Sequence, residues 1–269
     1  GALDEGLNIG FSDPMILLSF AIAIVSFIIF IFVEKKKEDP LLQLNIFSNK
    51  LFSLSIFCAF VTFVAIFCNN IILPFYLQDV MNYTPEHTGL IMMVYPLLLT
   101  VVAPLSGSLS DKIGSELLTF IGLILISLGL ILMSTLNVNS TVIITIIFIG
   151  IMSIGMGLFQ SPNNSLIMST VPKEKLGIAG SVNALVRNLG MVCGIALATT
   201  LLYSMMSSII GYRVTDLVAG RNDAFIYAMR TVYIAAAVIS LIGAALTFLR
   251  LRSKKLKSSN MHLEHQFKV

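Results

Sequence analysis

Seven stretches of this chain are apolar over a length that can cross a bilayer. A hydrocarbon core about 30 Å thick takes roughly 20 helical residues at 1.5 Å rise each. The stretches are Met15–Val33, Leu51–Leu73, Gly89–Leu109, Leu117–Leu136, Val142–Phe159, Gly177–Met206 and Ala224–Leu249. They predict an all-α integral membrane protein in contact with the lipid bilayer. Only 12% of the residues are charged, against about 25% in soluble domains, so most of the surface is built for lipid. Cys58, Cys68 and Cys193 all fall inside spans, in no disulfide framework and with no metal-ligand spacing.

Basic residues set the expected orientation. Lys35, Lys36, Lys37 and Lys50 follow the first span, Lys112 the third, and Lys173 and Lys175 the fifth. Arg250, Arg252, Lys254, Lys255, Lys257 and Lys268 follow the seventh. The opposite side carries only Arg213 and Arg221. The N-terminus of the chain is therefore expected outside and the C-terminus in the cytoplasm. With its positive charge at membrane edges, the chain carries no nucleic-acid signal. Seven helices in this orientation also suit rhodopsins and receptors. The seventh span, however, has no lysine for a Schiff base, and the third lacks the acidic-arginine-aromatic ending of receptors.

Four regions follow. Residues 1–33 are an outer segment and a transmembrane helix. Residues 34–50 are a charged cytoplasmic linker, in which Leu41–Phe47 reads as an interfacial helix. Residues 51–251 form a six-helix block whose order fits an inverted three-plus-three repeat. Residues 252–269 are a basic cytoplasmic tail, rich in Lys and Ser and expected to be disordered. The polar, acidic opening from Gly1 has no signal-peptide features, so the sequence reads as the C-terminal part of a longer protein.

Polar side chains in spans usually face protein or a water-filled cavity. Asn69 and Asn70 lie in the second span, Gln160 at the end of the fifth with Asn163 and Asn164 after it, and Asn183, Arg187 and Asn188 in the sixth. The fourth span has no amide or charge, and the seventh only Arg230. The second, fifth and sixth spans therefore read as cavity walls; interhelical gluing by the amides is the alternative. Asn183, Arg187, Gly190 and Gly194 share one helix face, and Gly190 and Gly194 allow close backbone approach. Arg187 suits an anionic group or a carboxylate on another helix; snorkelling to the interface is its other reading. Pro96 and Pro104 predict bends in the third span.

The fourteen acidic residues lie outside the spans or at their edges, Asp79 and Asp111 coming closest. No phosphate-binding loop and no hydrolytic or metal cluster is visible. Nothing in the sequence points to an enzyme or a cofactor.

The junction Gly107-Ser108-Leu109-Ser110-Asp111-Lys112-Ile113-Gly114 resembles the loop signature of the major facilitator superfamily, although Ser115 and Glu116 stand where that signature ends in basic residues. Gly107 and Gly114 suit tight turns, Asp111 a helix cap, and Lys112 an interdomain salt bridge. Leu73-Pro74-Phe75-Tyr76-Leu77-Gln78-Asp79-Val80 with Gly89 and Tyr95-Pro96 is similar to the drug:proton antiporters with fourteen helices, of the EmrB/QacA type. So are Val171-Pro172, Gly177 to Ala196, and the linker with Glu34 and Asp39-Pro40-Leu41-Leu42.

The resemblance implies a C-terminal six-helix bundle of the major facilitator fold, preceded by one extra transmembrane helix. It places the proton-binding carboxylates in an N-terminal half that precedes it. It also implies that the second, third, fifth and sixth spans line the cavity. The expected function is proton-coupled efflux of amphipathic, often cationic compounds through alternating access in a bacterial plasma membrane. Asn69, Asn70, Gln160, Asn163, Asn183 and Arg187 are the cavity candidates; Asp111 and Lys112 would latch the gate. A same-fold transporter of a sugar, metabolite or lipid, and a seven-helix sensor, are the alternatives.

Overall fold

The computed structural model describes Val25, residues 44–218 and residues 220–266. The expected first span, Val25 apart, and most of the linker lie outside the described residues. Six helical segments among those described are long and apolar enough to cross a membrane. They match the second to seventh spans of the sequence.

A short 3-10 turn, Leu44–Ser48, leads into α1, Lys50–Phe75, which a π-helical turn extends over Tyr76–Val80. Asn49 caps α1 by accepting from Leu51 N at 2.9 Å. Its Nδ2 donates to the Thr170 carbonyl at 3.2 Å, so one side chain ties the start of α1 to the residue that ends α5. The third span is broken: α2, Pro85–Met92, meets α3, Val94–Ile113, at Met93. Pro96 explains the break, because it has no N–H to offer the Met92 carbonyl. Gly114 alone turns the chain into α4, Ser115–Met133. Its φ of 93° is a conformation that L side chains rarely adopt. Asp111 is consequently not the cap of α4: it lies inside the last turn of α3, and Gly114 holds the cap position without a side-chain bond.

The remaining helices are α5, Val142–Ser169; α6, Leu176–Ile210; and α7, Asn222–Gln266. Two boundaries differ from expectation. The run Gln160-Ser161-Pro162-Asn163-Asn164 does not end the fifth helix, which continues to Ser169 with Pro162 inside it. The basic tail is not irregular: α7 runs on to Gln266, because no proline or glycine interrupts the sequence and a nucleated helix propagates cheaply.

Packing has the symmetry of an inverted repeat. The main interfaces are α4–α5, α1–α6, α3–α5, α4–α7, α1–α7 and α6–α7. Exchanging α1 with α5, α3 with α6 and α4 with α7 returns this set, with α6–α7 mapped onto the smaller α3–α4 contact. Glycines allow the closest approaches. A Cβ on Gly122 would lie 2.7 Å from the Gly155 carbonyl oxygen, and one on Gly194 2.5 Å from that of Val64. The core runs through Ile72, Tyr76, Leu123, Ile126, Met152, Met156 and Tyr233. The third and sixth spans are the least buried. On α3 the exposed stripe is Leu97, Val101 and Leu105, one turn apart.

Candidate functional site

Three helices enclose a polar cavity of about 180 Å³. From α1 come Ala59 and Phe63; from α5 Phe159, Gln160, Asn163 and Asn164; from α6 Gly180, Asn183, Ala184 and Arg187. Each of the α6 residues Gly180, Asn183, Ala184 and Arg187 lies three or four positions from another of them, which is one face of a helix. Asn183 Nδ2 donates to Asn164 Oδ1 at 2.9 Å, bridging α6 and α5. Asn163, 2% exposed, donates from Nδ2 to the Ser55 carbonyl at 3.1 Å, bridging α5 and α1. The Arg187 guanidinium carbon stands 5.9 Å from the centre of the Phe63 ring, within cation–π range. The lining therefore offers one cation, four amides and two aromatic rings, and no carboxylate among the described residues.

Four of the six sequence-derived cavity candidates thus meet: Gln160, Asn163, Asn183 and Arg187. Asn69 does not line this cavity. It is 2% exposed and accepts from the Tyr233 hydroxyl at 3.1 Å, which makes it an α1–α7 packing amide. Asn70 is half-buried and also outside the lining; Pro74 removes the helical donor from its carbonyl. The third span contributes nothing to this cavity, and neither do α4 and α7. Asn164, Phe63 and Met168 also line it and were not among the candidates. The spacing of Asn164 from Gln160 and of Phe63 from Ala59, four residues in each pair, was the available signal.

Gly190 and Gly194 face α1, where added Cβ atoms would lie 2.9 Å from the Phe60 carbonyl oxygen and 2.5 Å from that of Val64. At the other junction, Gly107 faces Ser161 of α5, with 3.0 Å between its would-be Cβ and the Ser161 Oγ. Asp111 and Lys112 are exposed. The more enclosed carboxylate is neither Asp79 nor Asp111 but Glu116, whose side chain is 13% exposed. Its Oε2 lies 3.8 Å from Nε of Arg250, which is half-buried on α7 rather than part of a free tail.

A bundle of six membrane-length helices with pseudo-symmetric packing and a polar cavity between three of them defines a class: integral membrane proteins of the transporter type. The model of the Major Facilitator Superfamily matches residues 8–195 and 56–266, and the chain belongs to that superfamily. It is 30% identical to the riboflavin transporter RibZ of Clostridioides difficile over 86% of this chain and 49% of RibZ. It is 31% identical to the uncharacterized transporter YebQ of Escherichia coli, over 92% of this chain and 50% of YebQ. Its identity to the multidrug transporter protein MdtP of Bacillus subtilis is 26%, over 78% of this chain and 38% of MdtP. The chain spans about half, or less, of the length of these relatives.

Proposed function

We propose that the whole protein exports amphipathic compounds by proton-coupled antiport through alternating access, in the plasma membrane of its cell. In this reading the described bundle is its C-terminal half, with the C-terminus cytoplasmic. The observation that carries the proposal is the cavity of Gln160, Asn163, Asn164, Asn183 and Arg187 within a superfamily bundle. At about 180 Å³ it is smaller than the roughly 300 Å³ at which small-molecule sites begin. A second half, facing it, would complete the volume. The lining holds a cation and amides, so any selection for cationic substrates and the proton-binding carboxylates would come from that other half. Asp111 and Lys112, exposed at the tight Gly114 turn, would latch against it. The similarity to MdtP, and to other relatives named for drug resistance, supports efflux.

The test is ethidium efflux from cells expressing the full-length protein, with and without a protonophore. Protonophore-sensitive efflux is expected; efflux equal to that of empty cells would overturn the proposal. The similarity to RibZ favours a second reading, transport of riboflavin. Saturable riboflavin flux without any dye efflux would select it.

A further inference from the structure

We propose that the outer face of α4 and α7 holds one anionic phospholipid, with its acyl chains in an apolar groove and its phosphate on Arg252. Two adjoining hollows form this groove. The first, about 450 Å³, is walled by Phe120, Ile124, Leu241, Ala245 and Phe248. The second, about 940 Å³, opens at the Gly114 turn beside Ser115, Glu116, Leu117 and Arg252, and is bounded on its other side by Ser110 and Ile113 of α3 and Leu166 of α5. Phe120 and Phe248 belong to both, and their ring centres are 5.7 Å apart, so this aromatic pair is the waist between the two.

Length, polarity and charge all fit a lipid. From Leu241 to Arg252 the helix rises about 16 Å, which matches one leaflet of a hydrocarbon core about 30 Å thick. The hollow farther from Arg252 is lined by apolar side chains alone; hydroxyls and charges appear only at the Gly114 end. Leu128 and Ile131 on α4 and Val238 and Ile242 on α7 are exposed, so this side of the bundle is apolar well beyond the groove. Ala245 leaves the space that a larger side chain would fill. Charge selects the headgroup. Glu116, the acidic lining residue, is paired with Arg250, which leaves the exposed Arg252 as the net charge at the mouth. Lys254, Lys255 and Lys257 follow it in the sequence.

The test is native mass spectrometry of the full-length protein released from mixed micelles holding equal phosphatidylglycerol and phosphatidylcholine. Wild type should retain phosphatidylglycerol over phosphatidylcholine by about fivefold, the selectivity of one basic residue at an anionic surface. Arg252→Gln should bring the ratio close to one while lipid is still retained. Ala245→Trp should reduce retention of both lipids, whereas Leu128→Trp, on the same face but outside the groove, should not. Equal retention of the two lipids by wild type, or an unchanged ratio in Arg252→Gln, overturns the headgroup assignment. Full retention by Ala245→Trp overturns the groove, and would point to a protein segment as its occupant. The readout is bound lipid, independent of whether the protein exports drugs.

Discussion

Replacing Gly194 with alanine tests whether the α1–α6 seam holds the cavity walls together. The new methyl would sit 2.5 Å from the Val64 carbonyl oxygen and 3.0 Å from Phe67 Cβ. A Cβ contact below 3.0 Å is essentially never seen, so the helices must part by at least about 0.5 Å at this point. Gly190, one turn earlier, is also close-packed, with its would-be Cβ 2.9 Å from the Phe60 carbonyl oxygen, so a small tilt cannot relieve the clash. Overpacking of this kind costs about 1–3 kcal/mol. Helix propensity works in the opposite direction, alanine gaining up to about 1 kcal/mol over glycine. The clash should win, with a net loss of about 0.5–2 kcal/mol. The assay is thermal unfolding of the full-length protein in detergent, with Gly177→Ala as the control. Gly177 is on the same helix, and nothing lies within 4 Å of where its Cβ would be. Gly194→Ala should melt several degrees lower and Gly177→Ala at or slightly above wild type. Equal melting of wild type and Gly194→Ala would refute the argument that close backbone contact holds this seam.

Other residues separate packing from transport. Asn69→Leu leaves the Tyr233 hydroxyl buried without its acceptor, at a cost of about 1–3 kcal/mol; it should lower the melting temperature and leave the KM of transport unchanged. Arg187→Gln removes the one cation of the cavity; it should change the KM for substrate at least severalfold with little change in melting, and an unaltered substrate profile would remove Arg187 from the site. Asp111→Lys reverses an exposed charge beside the Gly114 turn; under the proposed latch it should abolish efflux while membrane insertion, read by fractionation and blotting, stays normal. Wild-type efflux by that variant would end the latch assignment.

Apolar length alone was enough to read out the six described spans, because the bilayer imposes one minimum length and demands that every backbone group be bonded within its helix. The glycine pair of α6 was legible for a similar reason: small residues spaced by four make a flat strip wherever they occur. The junction at Gly114 was legible in part. Gly114 sits at a turn as expected, whereas Gly107 lies inside α3, packed against Ser161; the role of Asp111 depended on where α3 stops, and one residue with φ of 93° makes that turn without it.

The candidate site needed the fold. Gln160 to Asn164, with a proline among them, reads as the end of a helix in a local window. In the bundle these residues remain helical, because Asn163 bonds to the Ser55 carbonyl and Asn164 to Asn183, contacts that span 108 and 19 residues of sequence. Asn69 and Asn163 are the same residue type, both 2% exposed. Only the direction of each on its helix makes one a partner of Tyr233 and the other a wall of the cavity. Glu116 and Arg250 are 134 residues apart in the sequence, and nothing local links them. The sequence by itself located the six described membrane-length helices, since apolar length follows from solvation of single segments; where the fifth and seventh of the predicted spans end was read only from the structure. Which polar groups face one another was decided by tertiary structure, because rotation and register of each helix are set by packing against its neighbours.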